Sequence, residues 1–405
     1  MQTRSPRSVV TLVASVMCSS IALAMVTTVL GKQVFDLTGS ELDLGLLGLA
    51  EFAPAALLVF VTGPLTDRVD RRRLASVALV LEALAFFGLA AYAGTAPTSV
   101  LPIFVLVIAF GTARAFATPA TRALPADLVP AARLPRLVAR LAASWQGAAV
   151  IGPVLGGFLY VADVRLPFFA GAVLMLLSSA AMSCVRLEPR PPRARTPPGL
   201  RDAVEGLRFV RGNPILLGAI SLDLFAVLFG GAIALLPALA EDRLGVGAVG
   251  LGWLRAAVGI GAGAVTLVLA LRPVNRRIGQ VLLVTVALFG AGTVVLGLTT
   301  SFVVAFIALA ALSGADSVSV FIRSTLVPLV TPDDRRGRVL AVEAVFIGAS
   351  NELGAFESGV AGQLLGPVAA VVIGGAATLV VAALWCVLFP QLRRVDRFPD
   401  PVTRR

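Results

Sequence analysis

Twelve long apolar stretches follow one another along the 405-residue sequence, at about 8–30, 43–63, 74–94, 99–121, 135–160, 167–186, 215–239, 247–271, 280–299, 302–330, 338–365 and 367–390. Each is near or above the roughly 20 residues that carry a helix across the hydrocarbon core of a bilayer. A water-soluble fold cannot bury so much apolar surface: 58% of the residues are hydrophobic and 14% charged, whereas soluble domains are roughly one quarter charged. In hydrocarbon every backbone N–H and C=O must find its partner within the protein, so these stretches are helices or barrel strands. Their length and the lack of strict alternation favour helices. The expected fold is an all-α membrane protein with twelve transmembrane helices.

Charge placement orients the chain. The net charge of +11 raises the question of nucleic acid, but the basic residues are distributed with the membrane rather than along one soluble face. With the N-terminus inside, only Lys32, Arg165 and Arg243 of the 34 lysines and arginines fall outside, and Arg114 and Arg255 fall within spans. The positive-inside rule then puts both termini in the cytoplasm, with no nucleic-acid partner. Arg4 and Arg7 before the first run resemble a secretory leader, but the run is long and lacks a small-residue cleavage site, so it is read as the first helix. Cys18, Cys184 and Cys386 sit inside predicted spans at no metal-ligand spacing and read as small packing residues. With no histidine, the usual zinc ligand is missing, and no metal is expected.

The sequence also divides in two. Between the sixth and seventh stretches, Pro189, Pro191, Pro192, Pro197 and Pro198 alternate with Arg190, Arg193 and Arg195. Beyond them, Leu200, Val204 and Leu207 share one face against Arg201, Glu205 and Arg208, the pattern of an amphipathic helix at a membrane surface. The expected organisation is a six-helix bundle over 1–187, a cytoplasmic linker over 188–214, a second six-helix bundle over 215–392 and a basic cytoplasmic tail over 393–405. A shift of 202 residues lays Pro130 on Pro332, Arg136 on Arg338, Ala139 on Ala341, Gly152 on Gly354 and Gly157 on Gly359. A duplicated six-helix unit explains these matches, and duplicated halves are a common build for secondary transporters.

The most specific local signal is Gly63-Pro64-Leu65-Thr66-Asp67-Arg68-Val69-Asp70-Arg71-Arg72-Arg73-Leu74, between the second and third stretches. Gly63 permits close helix approach, Asp67 can accept hydrogen bonds from a helix N-terminus, and Arg71, Arg72 and Arg73 can hold carboxylates or lipid phosphates. The segment resembles the G-x-L-x-D-R-x-G-R-K/R-x-L/I loop of the major facilitator superfamily, with Asp70 where that family usually has Gly. The resemblance implies two pseudo-symmetric six-helix bundles and a cytoplasmic gate formed by Gly63, Asp67, Arg68, Arg71, Arg72 and Arg73. In the fifth stretch, Gly152-Pro153-Val154-Leu155-Gly156-Gly157 is similar to the G-P-x-x-G-G element of exporters in that superfamily. Gly152, Gly156 and Gly157 allow backbones to pack closely, and Pro153 removes one helix hydrogen bond and introduces a bend. With Gly111, Phe116, Pro119, Pro125 and Pro130 around the fourth stretch, the chain resembles the enterobactin-exporter-like efflux subgroup.

Charged residues within spans are costly and by default functional. They are Glu51, Glu82, Arg114, Asp223, Arg255, Asp316, Glu343, Glu352 and Glu357. Arg114 stands where the family's fourth-span arginine often lies, which implies contact with substrate or a proton-carrying carboxylate; a structural ion pair is the alternative. Asp223 reads as isolated among apolar neighbours and so as a candidate proton carrier. Asp316, seven residues before Arg323 on one helical face, is either another carrier or part of an ion-pair network. Glu343, Ser350 and Glu357 recur at intervals of seven, with Asn351 beside them, and one polar stripe on an apolar helix must face water or protein. The first stretch carries no acid, so the proton and substrate candidates are Glu51, Arg114, Asp223, Asp316, Glu343, Asn351 and Glu357.

These readings give a secondary transporter of the bacterial inner membrane, expected as a monomer in the lipid bilayer. It would move a small-molecule solute, lipophilic or siderophore-like, outward at the expense of the proton gradient and without a cofactor. An uptake symporter of the same fold is the alternative. A membrane-embedded enzyme is remote, because the sequence has no histidine for a Ser-His pair and no G-x-x-x-x-G-K-S/T phosphate loop.

Overall fold

The computed structural model describes residues 6–186 and 200–399, apart from the side chains at 6, 59–61, 63–64, 67–68 and 200–203. Residues 188–199 of the expected linker and 400–405 of the expected tail therefore lie outside the described residues. What is described is helical: α1 (Pro6–Thr38), α2 (Glu41–Arg68), α3 (Arg71–Ala93), α4 (Leu101–Leu128), α5 (Leu134–Ala162), α6 (Leu166–Ser183), α7 (Leu200–Gly212), α8 (Pro214–Phe229), α9 (Leu236–Ala238), α10 (Gly247–Leu271), α11 (Ile278–Leu298), α12 (Phe302–Val330), α13 (Asp333–Leu365), α14 (Pro367–Leu388) and α15 (Pro390–Arg393). Among the described residues ten helices are long and apolar enough to cross a membrane, or eleven if the bent pair Val204–Gly212 and Pro214–Phe229, which meet at 108°, counts as one span. Helix α2 coincides with the second apolar stretch but contains undescribed side chains and is not among the ten.

Three expectations need correction. The seventh stretch, 215–239, is not one helix: α8 stops at Phe229 and the chain turns through Gly230 and Gly231 before α9 and a π-helical turn at Leu239–Arg243. The pair of glycines removes the side chains that would carry the helix on, and Pro237 then opens the next turn at a position where its missing N–H is harmless. Lys32 does not lie in a loop; α1 runs on to Thr38, and Lys32 is buried within it, paired with Asp36 one turn later. Cys184 is not a packing residue but an exposed residue closing α6.

The helices form two compact units. Unit 1 comprises Met1–Gly39, Leu46–Pro197 and Val246–Ala256; unit 2 comprises Ser40–Gly45, Pro198–Gly245 and Ala257–Arg405. In unit 1, α1 packs on α5 and α6, and α3 packs on α4 and α6. Small residues set these spacings. A Cβ on Gly152 would stand 2.8 Å from the Ile21 carbonyl oxygen and 2.9 Å from the Met25 nitrogen, and one on Gly157 would stand 2.5 Å from the Ala248 carbonyl oxygen. Polar groups between these helices are satisfied across the contact: the buried Ser15 and Ser178 hydroxyls lie 2.9 Å apart, and Ser179 donates to the Ser76 carbonyl at 2.8 Å. Helix α5 continues through Pro153 as one helix.

Unit 2 repeats this logic. Helix α11 packs on α12 and α14, and α13 packs on α7 and α8. Its core gathers Leu222, Leu282, Ile322, Leu326 and Trp385, and the Trp385 indole N–H donates to the Gly218 carbonyl at 3.2 Å. Gly354 and Gly359, the sequence counterparts of Gly152 and Gly157, again sit at close approaches: a Cβ on Gly354 would be 2.6 Å from the Val227 carbonyl oxygen, and one on Gly359 would be 2.8 Å from the Gly45 Cα. Helix α7 lies against the start of α13, where Arg338 pairs with Glu205 at 3.1 Å and Arg335 covers the Phe209 ring at 5.1 Å.

Candidate functional site

In unit 1, the residues matched to the gate loop are mostly helical. Gly63, Asp67 and Arg68 fall in the last turns of α2, and their side chains lie outside the described residues. The connection itself is only Val69 and Asp70. Asp70 accepts the Arg72 and Arg73 backbone N–H groups at 2.9 and 3.3 Å, so the departure from glycine supplies an N-cap for α3. Arg71 then reaches Asp127 at the end of α4 (2.7 Å), and Arg72 donates to the Val185 carbonyl after α6 (3.2 Å), while Arg73 points into solvent. Three helix ends are thereby tied on one side of the unit.

Deeper in unit 1 lie four ionisable groups from four helices. Gly111 of α4 has no side chain, and the Glu51 backbone of α2 occupies that space; a Cβ there would be 3.3 Å from the Glu51 Cα. Arg114, one turn further along α4, thus meets Glu51, with Nη1 to Oε1 at 3.2 Å, and stacks 5.8 Å over Phe110. Glu82 of α3 is buried within electrostatic reach of Glu51 and Arg114. Arg255 of α10 is within reach of Glu51, and its Nε is buried with no hydrogen-bond partner among the described residues.

Unit 2 holds a second cluster. Arg323 of α12 pairs with Asp223 of α8 at 2.6 Å, the two side chains being 4% and 8% exposed, and its Nε donates to Ser319 Oγ at 3.4 Å. Asp223 is therefore not isolated: the guanidinium that it meets comes from another helix. Asp316 and the buried Glu343 both lie within electrostatic reach of this pair. A cavity of about 10 Å³, counted as room for the centre of a water, is lined by Asp223, Thr285, Asp316 and Ser319 among others. That suffices for one water, with polar partners to hold it. Three carboxylates around one guanidinium leave an excess of negative charge that protonation reduces.

The α13 stripe splits. Glu343 and Ser350 are buried; Asn351 is exposed and donates to the Ile347 carbonyl at 2.9 Å; Glu357 is half-buried and hydrogen-bonded to Ser358. Between α5 and α6, Arg165 clasps Asp163 with contacts of 2.7 to 3.2 Å, and these hydrogen bonds hold the Asp163 carboxyl down at about 2. Glu82, Arg255 and Arg323 belong to the clusters without having been singled out as site candidates. The available signal was only that each is charged inside an apolar run. Among the described residues no three or more carboxylates or thiols are placed so that they could hold a metal ion.

Residues 12–310 match the family model of the Major Facilitator Superfamily. The enterobactin exporter EntS of Shigella boydii serotype 18 is 25% identical over 393 residues, covering 95% of this chain and 92% of that protein. Among solved structures, a bacterial homolog of the human lysosomal transporter Spinster, inward-facing and unoccupied, superposes with a TM-score of 0.73 at 14% identity, covering 96% of this chain and 97% of that one. The POT family transporter PepTSo gives a TM-score of 0.76 at 10% identity over 97% of this chain and all of that one. At those identities the two structures speak for the fold alone.

Proposed function

The chain belongs to the Major Facilitator Superfamily, and from that premise we propose that it is a proton-coupled exporter of a small lipophilic or siderophore-like solute, working by alternating access in the bacterial inner membrane. The observation that carries the direction is the identity to the enterobactin exporter, which runs over 95% of the chain rather than over a shared motif. In this reading twelve spans form two six-helix bundles joined by the 188–214 linker, with both termini cytoplasmic and the protein a monomer. The Asp223, Asp316, Arg323 and Glu343 cluster carries the proton: protonating one carboxylate relieves the excess of acid around Arg323 and frees the guanidinium to change partner. The Asp70 cap and the Arg71 and Arg72 ties hold the cytoplasmic ends of α3, α4 and α6 as one rigid piece during that change. Glu51, Arg114, Asn351 and Glu357 are then available to the solute.

The test is transport into inverted membrane vesicles under an imposed proton gradient, with siderophores and lipophilic drugs offered to wild type, Asp223→Asn and Asp67→Asn. The expected result is uptake that dissipates the gradient and is lost in Asp223→Asn. Transport confined to right-side-out vesicles would refute export and make the protein an uptake symporter.

A further inference from the structure

The four ionisable groups of unit 1 do not resolve into two pairs. Glu51 is engaged by Arg114, whereas the Nε of Arg255 is buried and unpartnered among the described residues. A buried donor without a partner costs at least a hydrogen bond, and more on a cation within a membrane. Lysine or histidine could escape by giving up a proton; a guanidinium cannot. Arg255 thus needs an anion that Glu51, already committed, only partly supplies.

The surroundings say what kind of anion reaches it. Glu51 and Arg114 keep 28% and 33% of their side-chain surface exposed although they sit well inside α2 and α4. Charged groups at that depth cannot face lipid, so their open side faces water through which a solute can arrive. The packing behind them is aromatic and buried: Phe110 lies under Arg114, and Phe86 packs 5.0 Å from Phe110. Two guanidinium groups inside an apolar helix bundle, one incompletely satisfied, fit a molecule that is acidic at one end and lipophilic enough elsewhere to enter such surroundings.

We propose that Arg255, together with Arg114, receives the anionic group of the transported solute, so that the solutes are lipophilic or aromatic acids bearing a carboxylate, a sulfonate or an ionised phenol. The proposal rests on the transporter reading above and narrows it to a substrate class. The planar fork of each arginine can hold two oxygens of such a group, and Glu51 sets the selectivity by repelling a second acid.

The experiment measures binding to the purified full chain in detergent, which does not depend on proton coupling. Matched acids and amides are compared by ligand-induced thermal stabilisation: 2-naphthoate with 2-naphthamide, salicylate with salicylamide, and 4-phenylbutyrate with its amide. Empty micelles correct for partition. Wild type should prefer at least one acid over its amide by roughly tenfold or more, the scale of a charge-assisted hydrogen bond. Arg255→Gln should abolish the preference, and Arg255→Lys, which keeps the charge but not the fork, should retain part of it. Equal affinity for every acid and its amide in wild type, or a preference undiminished in an Arg255→Gln protein that elutes as a single folded species, would overturn the assignment. Either failure leaves the vesicle test of export untouched, so the two readings fail separately.

Discussion

Removing the cation from the unit 2 cluster should cost more stability than removing the acid that touches it. Arg323 and Asp223 meet at 2.6 Å with almost no exposure, and Asp316 and Glu343 lie within electrostatic reach. In Asp223→Asn the guanidinium keeps two other carboxylates nearby and an amide oxygen in place of the lost one. The loss is the charge-assisted part of one hydrogen bond, about 1.5–3 kcal/mol. In Arg323→Gln three acids are left with no cation, the situation in which breaking a buried pair costs about 3–5 kcal/mol. The double variant exchanges the ion pair for two amides, and because the residues touch, its cost should fall below the sum of the single costs by about 0.5–3 kcal/mol. Unfolding of the purified protein in mixed micelles at neutral pH, followed by intrinsic fluorescence, measures all three. An Asp223→Asn variant as unstable as Arg323→Gln would show that Asp316 and Glu343 do not share the guanidinium, and strict additivity in the double variant would show that Arg323 and Asp223 are not coupled.

Further outcomes follow from the helix ends and the glycine contacts. Asp70→Ala should lose about 1 kcal/mol of stability with the α3 cap, whereas Asp70→Gly, the residue usual in the family, should lose only a few tenths, both read by thermal unfolding. Gly157→Val forces a branched side chain against the Ala248 carbonyl and should cost about 1–3 kcal/mol, whereas Gly147→Ala, with nothing within 4 Å, should be neutral or mildly stabilising. Asp163 has its pKa lowered by Arg165 from the ordinary carboxylate value to about 2, so the clasp is complete above the ordinary value and is lost as pH falls through about 2. Carboxylate-detected NMR on the full chain should place that titration near 2 in wild type and back near the ordinary value in Arg165→Gln.

Hydrophobic run length made most helices legible: the stretches read at 247–271 and 302–330 are α10 and α12 to the residue. Run length failed at 215–239, because Gly230 and Gly231 are apolar enough to continue a hydropathy pattern and too flexible to continue a helix. It also failed at Lys32, whose charge looks like the end of a span until Asp36, one turn on, neutralises it inside α1. The 202-residue repeat was legible because Gly157 and Gly359 meet the same backbone demand in each unit. The charged clusters were legible only as a roster. That Asp223 answers Arg323, exactly one hundred positions away and on another helix, is a fact of packing that no local pattern encodes. Glu82 was passed over for the same reason, since a lone acid in an apolar run carries no sign of the arginine it will meet.

The two compact units are not collinear with the chain: unit 1 includes Val246–Ala256, and unit 2 includes Ser40–Gly45. This has a consequence for biogenesis. When synthesis reaches Pro197, Gly157 still has no Ala248 to pack against, and unit 1 must wait through the whole of Pro198–Gly245 before its last segment is made. The packing of unit 1 is thus completed only once the start of α10 has been made.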